Sequence, residues 1–381
     1  HPTSAARGGR RVSLRVALLT PEHPLAGTST GIGRYTAVLA GALTDAGHAV
    51  GTWVVGERLW RIDGTAAHDL GPGPRLAVLR PFGQRRLAAE LRAFAPDVVE
   101  APNWGGLGAN VCGALQVVRL STPILAIRPR DALRRATLPM HAAWERRAVR
   151  RAGLVIADSE AMRTLGARVY GRRAEVVIPH ALAPDAPTAP AAGDDVLAVG
   201  RLEHRKGTDV LVCAWRRVHA QRPAARLHLV GSDGAGFGAA AIARWGGAGI
   251  VHHGHLADEA VAALAVGCGI QVVPSRYESF GLTVLEGWRA GLAVVASDAG
   301  ALPEVVGNAG VLVPAGRPQP LAAALVALLD DPERRRELTT RGAVRLRSCF
   351  SPAGMAAASV AAYRRAIHRR LAGGWTSEPA S

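Results

Sequence analysis

Lysine is almost missing from this chain: among its 46 basic residues other than histidine there is one lysine, Lys206. Aromatic residues fill only 4 % of the 381 positions. None interleave with the arginine clusters as a base-stacking platform requires, so a nucleic-acid partner is not expected. No run of about 18 apolar residues escapes charged or polar interruption, which excludes an expected membrane span. The cysteines Cys112, Cys213, Cys268 and Cys349 are far apart, sit in apolar contexts and make no CxxC pair. They read as buried thiols of a cytoplasmic protein, not as disulfides or metal ligands. The chain also has no GxGxxG followed by an acidic ribose ligand, so dinucleotide oxidoreductase chemistry is not expected.

The net charge is +16, with clusters at Arg128 to Arg135, Glu145 to Arg151 and Arg364 to Arg370. One reading is attraction to an anionic lipid, nucleic acid or phosphorylated substrate. The other is a GC-rich coding bias that sets arginine on solvated helix faces. The first residues, "HPTSAARGGRRVSLRVALL", place basic residues before an apolar run that is only Val16 to Leu19. They read as a disordered tail (1–12) feeding a strand, not a signal peptide.

A length of 381 residues exceeds one ordinary core and points to two domains. Short β-rich runs alternate with helical pattern: "LRVALL", "HAVGTWVV", "DVVEAP", "LQVVRL", "LVIAD" and "EVVIP" come first. In the first helix Val38, Leu39, Ala42 and Leu43 recur at helical spacing, and Gly47 ends it. "APDAPTAPAAGDD", Ala183 to Asp195, reads as a linker. The rhythm then restarts with "VLAVG", "RLHLVG", "GIVHHG", "GIQVVP", "AVVAS" and "GVLVP". Two doubly wound α/β domains with parallel sheets, facing each other across a cleft, are expected, with ligands at the carboxyl ends of the strands.

Three loops attract attention on that basis. In "TSTGIGRY", Gly31 and Gly33 open a helix whose amino terminus suits phosphate, although a tight strand-to-helix turn explains the same residues. In "VLAVGRLEHRKG", Arg201 and Lys206 converge at a strand end and can hold a diphosphate. In "PSRYESFGLTVLEGWRAG", Glu278 precedes a predicted helix near Gly281 and Glu286 lies more than one turn inside it. The two carboxylates can address different hydroxyls of one ligand while the N–H groups of Phe280, Gly281 and Leu282 face it. Alternatively, Glu278 caps that helix and Glu286 is solvated.

Taken in order, "GIGRY", "VGRLEHRKG", "PSRYESFGLTVLEGWRAGLAVVASDAGALPE" and "GVLVP" resemble the retaining nucleotide-sugar glycosyltransferases of family 4, over Leu14 to about Arg370. The resemblance implies the GT-B fold of two Rossmann-like domains: an acceptor domain at 13–185, a donor domain at 186–350 and a helix at 351–372 crossing back to the first. It implies that Arg201 and Lys206 bind the donor diphosphate, Glu278 the transferred sugar and Glu286 the ribose, with Arg201, Lys206 and Glu278 the catalytic set. Gly31, Gly33, Ser279, Phe280, Gly281 and Leu282 join the donor site, as do His255 and Leu256 of the base-binding loop. The nucleotide-sugar is then a substrate, with UDP favoured, no cofactor and no metal. Acceptor contacts are expected from Arg34, Glu100, Trp104 and Ser121. The family's "HTP" reads "STP" here at Ser121, and its "IPNG" reads "IPHA" at His180, so either the phosphate itself assists the reaction, another histidine such as His23 or His180 enters the site, or donor choice or activity is altered. The leading acceptor is a small natural product such as an antibiotic intermediate. The alternatives are a membrane-peripheral enzyme for glycolipid or envelope glycan, and a catalytically weak sugar-nucleotide-binding protein.

Overall fold

A computed structural model of the protein describes residues 13–27, 31–73, 85–107, 113–126, 132–183 and 193–372. The expected tail 1–12, Thr28 to Thr30 of the glycine loop, Cys112, the first part of the Arg128 to Arg135 cluster and most of the expected linker lie outside the described residues. The fold is α/β, and the chain divides into two compact units. One holds His1–Arg119, Arg128–Val155 and Ala356–Ser381; the other holds Leu120–Ile127 and Ile156–Met355. Residues 156–183 thus group with the second unit, although the sequence rhythm had placed them in the first domain.

The described elements of the first half are β1 (Arg15–Thr20), α1 (Gly31–Asp45), β2 (Ala49–Val55), β3 (Arg58–Asp63), β4 (Ala66–Pro72), α2 (Arg85–Phe94), β5 (Val98–Pro102), β6 (Leu115–Leu120), α3 (Ala132–Arg151), β7 (Leu154–Ala157), α4 (Glu160–Tyr170) and β8 (Val176–Val177). The strands form a sheet in the order β4-β3-β2-β1-β5-β6-β7-β8. β1 pairs in parallel with β2 and β5, but β2–β3 and β3–β4 are antiparallel. The parallel expectation therefore fails at this edge. "IDGTA" makes a two-residue hairpin in which Gly64 takes φ +56, the backbone that a tight turn between twisted strands demands. Helix α1 buries Tyr35, Thr36, Leu39, Ala42 and Leu43, a stripe at helical spacing. The core of this unit gathers Leu19, Trp53, Val55, Leu87, Leu91 and Val99.

The second half continues with β9 (Asp195–Val199), α5 (Thr208–Gln221), β10 (Leu227–Val230), α6 (Phe237–Trp245), β11 (Ile250–His252), α7 (Asp258–Ala265), β12 (Cys268–Val273), α8 (Leu282–Arg289), β13 (Ala293–Ser297), α9 (Leu302–Val306), β14 (Val311–Val313), α10 (Pro318–Asp330), α11 (Pro332–Cys349) and α12 (Pro352–Ala372). Its sheet runs β11-β10-β9-β12-β13-β14 and every pairing is parallel. Counted within the unit, this is strand order 3-2-1-4-5-6, the doubly wound pattern whose order reverses between its first and fourth strands. Buried on both faces, β12 and β13 read as unbroken apolar runs. Helix α5 lays Val210, Leu211, Ala214, Trp215 and Val218 onto this sheet, each large side chain contributing about 1.5–3 kcal/mol of burial. Most of α12, from Ala356 onward, belongs to the first unit.

Among the described residues the free cysteines are Cys213, Cys268 and Cys349. Cys268 is buried and Cys213 half-buried, but Cys349 is exposed, so the buried-thiol expectation fails for Cys349. It lies in the last turn of an amphipathic helix, where one apolar residue can face solvent.

Candidate active site

The order reversal between β9 and β12 puts two loops side by side at the carboxyl ends of those strands. After β9, the chain turns at Gly200 and forms a 3-10 turn His204–Lys206 that Gly207 closes with φ +70. A Cβ at Gly207 would lie 2.0 Å from the carbonyl oxygen of Pro274. Only glycine lets the turn touch the loop after β12. The crevice there is lined by Arg201, Lys206, Thr208, Ser275, Glu278 and Thr283, with the ends of β9 and β12 behind them.

Lys206 Nζ donates to Glu278 Oε1 at 2.6 Å, and Ser275 Oγ donates to the same oxygen at 2.8 Å. Arg205 Nη1 stands 3.7 Å from Glu278 Oε2. Burial pushes the Glu278 pKa up, but the charges of Lys206 and Arg205 and these hydrogen bonds outweigh it and hold the carboxyl below its usual range. Tyr277, beside it, is pushed up by burial and by the Asp158 and Glu278 carboxylates. The side chain of Lys206 keeps 21 % of its surface exposed and that of Glu278 8 %, so the pair faces solvent from the ammonium side. Arg201 is more open, 57 % exposed, and pairs with Glu203 at 3.4 Å.

Helix α8 is capped by the backbone of Gly281 at φ +104 with no side-chain cap. The helix-cap explanation of Glu278 therefore gives way to its pairing with Lys206. Glu286 sits half-buried a little over one turn into α8, outside the crevice wall. The Phe280 side chain is 3 % exposed and packs edge-on against Phe350 and His180; what it can offer a ligand is backbone. The Ser279 carbonyl accepts from Ser159 Oγ at 2.7 Å, and Leu282 is half-buried against the adjoining core. In the loop after β11, His255 is exposed and Leu256 packs into the core beside Cys268. Neither lines the crevice.

His180 is 5 % exposed, with Nε2 3.4 Å from Asp158 Oδ2. It supports Phe280 from behind and does not line the crevice. His23 caps a 3-10 turn, its Nδ1 accepting from the Leu25 N–H, and burial lowers its pKa. Ser121 is buried just beyond β6.

The first unit corrects two expectations. The Gly33 N–H donates to Glu22 Oε1 at 3.3 Å, so an acidic side chain already occupies that helix N–H. Glu100 is 2 % exposed; Arg119 Nε donates to its Oε1 at 2.7 Å and the Tyr363 hydroxyl to its Oε2 at 2.5 Å. Arg119 is fully buried, also bonds Ser359 Oγ at 3.1 Å and lies 5.6 Å over the Tyr35 ring. Both oxygens of Glu100 thus serve a closed ionic core, not a ligand. Gly31, Arg34 and Trp104 remain at the ends of α1 and β5, with Gly31 exposed and Arg34 and Trp104 half-buried.

Sequence reasoning brought Arg201, Lys206 and Glu278 to one crevice. It missed Ser275 and Arg205, which neighbour the quoted residues in the chain. The signal was a hydroxyl three residues before Glu278 and a second cation beside the lone lysine.

Residues 29–186 match the Glycosyltransferase Family 4 model, and residues 193–331 match the Glycosyl transferases group 1 model. An MMP alpha-(1->4)-mannosyltransferase of Mycolicibacterium hassiacum is 42 % identical over 132 residues, covering 34 % of this chain and 32 % of that protein. A D-inositol 3-phosphate glycosyltransferase of Thermobispora bispora is 35 % identical over 198 residues, covering 47 % and 45 %. The chain therefore spans less than half the length of these curated relatives. Among solved structures, sucrose-phosphate synthase from Thermosynechococcus elongatus superposes over 93 % of this chain and 99 % of its own, with TM-score 0.77 at 23 % identity. Anabaena HepE in complex with UDP and glucose superposes over 92 % and 99 %, with TM-score 0.68 at 19 % identity. At such identities the likeness shows the fold, which is GT-B.

Proposed function

We propose, from the premise that the chain carries glycosyltransferase family 4 and group 1 domains on a GT-B fold, that it moves a sugar from a nucleoside-diphosphate donor to a hydroxyl of an acceptor. The observation that supports this best is the Lys206 to Glu278 pair at the strand-order reversal, 2.6 Å apart and open to solvent on its cationic side. Lys206 and Arg201 hold the donor diphosphate. Glu278 takes the sugar hydroxyls, Glu286 the ribose, and the Phe280 to Leu282 backbone faces the phosphates.

The chemistry follows from where charge develops. The bond from the anomeric carbon to the diphosphate oxygen breaks, its electron pair leaving on the diphosphate while the sugar gains oxocarbenium character. Fixed cations beside the leaving group stabilise that charge without reorganising. The acceptor oxygen bonds the anomeric carbon from the same face, and its proton passes to the departing phosphate, so configuration is retained. No metal is assigned a step. UDP is the favoured nucleotide. The D-inositol 3-phosphate glycosyltransferases among the relatives support a small hydroxylated acceptor, and we carry a small natural product such as an antibiotic intermediate as the leading choice.

The test is a thermal-shift panel of UDP-, GDP-, ADP- and dTDP-sugars, with and without EDTA, on wild type and Lys206→Ala. One nucleotide should stabilise the wild type regardless of EDTA and fail with the variant. No binding, or binding only with metal, overturns the assignment.

A second reading rests on charge distribution. The first unit holds 25 of the 46 basic and 11 of the 30 acidic residues, a net charge of +14 against +2 for the second. Arg146, Arg147, Arg150 and Arg151 of α3 are exposed. Such a face attracts an anionic membrane surface, and among the described residues no helix is long and apolar enough to cross one. Co-sedimentation with phosphatidylserine vesicles that collapses at high salt supports peripheral attachment; no sedimentation at low salt removes it.

A further inference from the structure

Two arginines beside the crevice reach across between its two loops in opposite directions. From the loop after β12, Arg276 donates Nη1 to the His204 carbonyl at 2.7 Å. It grips the Asp209 carboxylate with both ends of its guanidinium, Nη1 to Oδ1 at 2.7 Å and Nη2 to Oδ2 at 2.8 Å. Its backbone N–H donates to the Arg205 carbonyl at 2.8 Å. From the turn after β9, Arg205 answers with Nη1 to the Tyr277 carbonyl at 3.2 Å and Nη2 to Glu203 Oε1 at 2.8 Å. Asp209 stands in the first turn of α5, where a carboxylate is favoured by the helix dipole. Burial works to raise its pKa, and the bonds from Arg276 outweigh this to hold it low.

The geometry points to Arg276 and Asp209 as positioning residues: their bidentate pair locks the loop carrying Glu278 to the turn carrying Lys206, so ammonium and carboxylate meet the donor as one preset unit. This rests on the reading of Lys206 and Glu278 as donor ligands. The Lys206 side chain is long and flexible, and the backbone bonds that join the loop to its neighbours, Arg276 N–H to the Arg205 carbonyl and Ala301 N–H to the Glu278 carbonyl, set the loop's position but not the orientation of the side chains across it. A planar two-pronged bond fixes both distance and orientation, which a lysine at position 276 cannot do. The pair is also placed to do this and little else, since Arg276 and Asp209 stand outside the crevice wall.

The experiment compares Arg276→Lys and Asp209→Asn with wild type by calorimetry, using the nucleoside-diphosphate sugar selected in the panel and the matching nucleoside monophosphate. The monophosphate lacks the second phosphate and the sugar, the groups that the preset pair would meet. Diphosphate-sugar affinity should fall about tenfold in both variants while monophosphate affinity is unchanged. The pH at which acid abolishes diphosphate-sugar binding should also move up, because a looser Lys206 no longer holds the Glu278 carboxyl low. Unaltered affinity and pH dependence in both variants overturn the inference. So does an equal loss of both ligands accompanied by a collapsed melting transition, which marks a structural role alone. If Lys206→Ala binds like wild type, the donor-site reading itself falls; if Lys206→Ala fails and both other variants bind normally, only the positioning role does.

Discussion

Each unit of this protein holds a cation, a carboxylate and a hydroxyl in one cluster, and the two clusters are built for opposite ends. In the first unit Arg119 and Glu100 are 0 % and 2 % exposed, and Tyr363 and Ser359 complete their bonding. Burial alone lowers an arginine's pKa, but Glu100 more than reverses this and keeps Arg119 charged. Burial, then Glu100, pushes the Tyr363 hydroxyl well up. In the second unit Lys206 and Glu278 keep 21 % and 8 % of their side chains open, with Ser275 as the hydroxyl. A closed cluster cannot exchange partners without exposing a naked charge. An open one can give up part of its pairing to an anionic ligand, because water already screens the ammonium side.

The comparison breaks if the two clusters respond alike to substitution. Lys206→Ala should lower transfer by on the order of 10²–10³ while lowering the denaturation midpoint less than loss of a fully buried partner would, because water reaches the ammonium side of the pair although the Glu278 carboxylate is buried. Steady-state turnover and urea melts on the same preparation check both halves. Arg119→Met should do the reverse in kind, costing about 3–5 kcal/mol of stability by stranding Glu100; adding Glu100→Leu should recover most of it. Equal stability losses at the two sites would refute the distinction.

Acid sharpens it further. The folded-state pKa of Glu278 is depressed, so its contribution to stability is fully present above the unfolded carboxylate value and is lost as pH falls through the folded one. Melting temperature followed from about pH 5 downward should decline less steeply in Glu278→Gln than in wild type, with the variant lower at neutral pH and the two curves converging in acid. The smallest effect concerns thiols, which show the same contrast of closed and open groups. The Cys268 pKa is pushed up to about 12 by burial and by Asp195, while Cys349 is exposed. Iodoacetamide at mildly alkaline pH should label Cys349 in the native protein and spare Cys268, with no change in melting; mass spectrometry of the digest decides it.

Much of this was legible from spacing. Most parallel strands of the second unit announced themselves as apolar-rich runs ending in glycine or proline, and the strand-end loops carry Arg201, Lys206 and Glu278 to one place at the order reversal. The β3–β4 hairpin was harder to see, since Asp69, His68 and the half-buried faces of these edge strands lack an apolar run. Glu100 looked like a ligand because it ends a strand, yet nothing local to it announces Arg119, 19 residues on, or Tyr363, 263 residues on. The pairing of Arg276 with Asp209 spans 67 residues and was equally silent.

The sequence by itself determined the α/β rhythm, the switch-point loops and the identity of the chemical groups at them, because periodicity and turn residues act over a few positions. Tertiary structure alone decided which charge meets which. Ion pairing depends on distance and burial, and both are set by strand order and by backbone contacts such as Gly207 against Pro274, which no local pattern encodes.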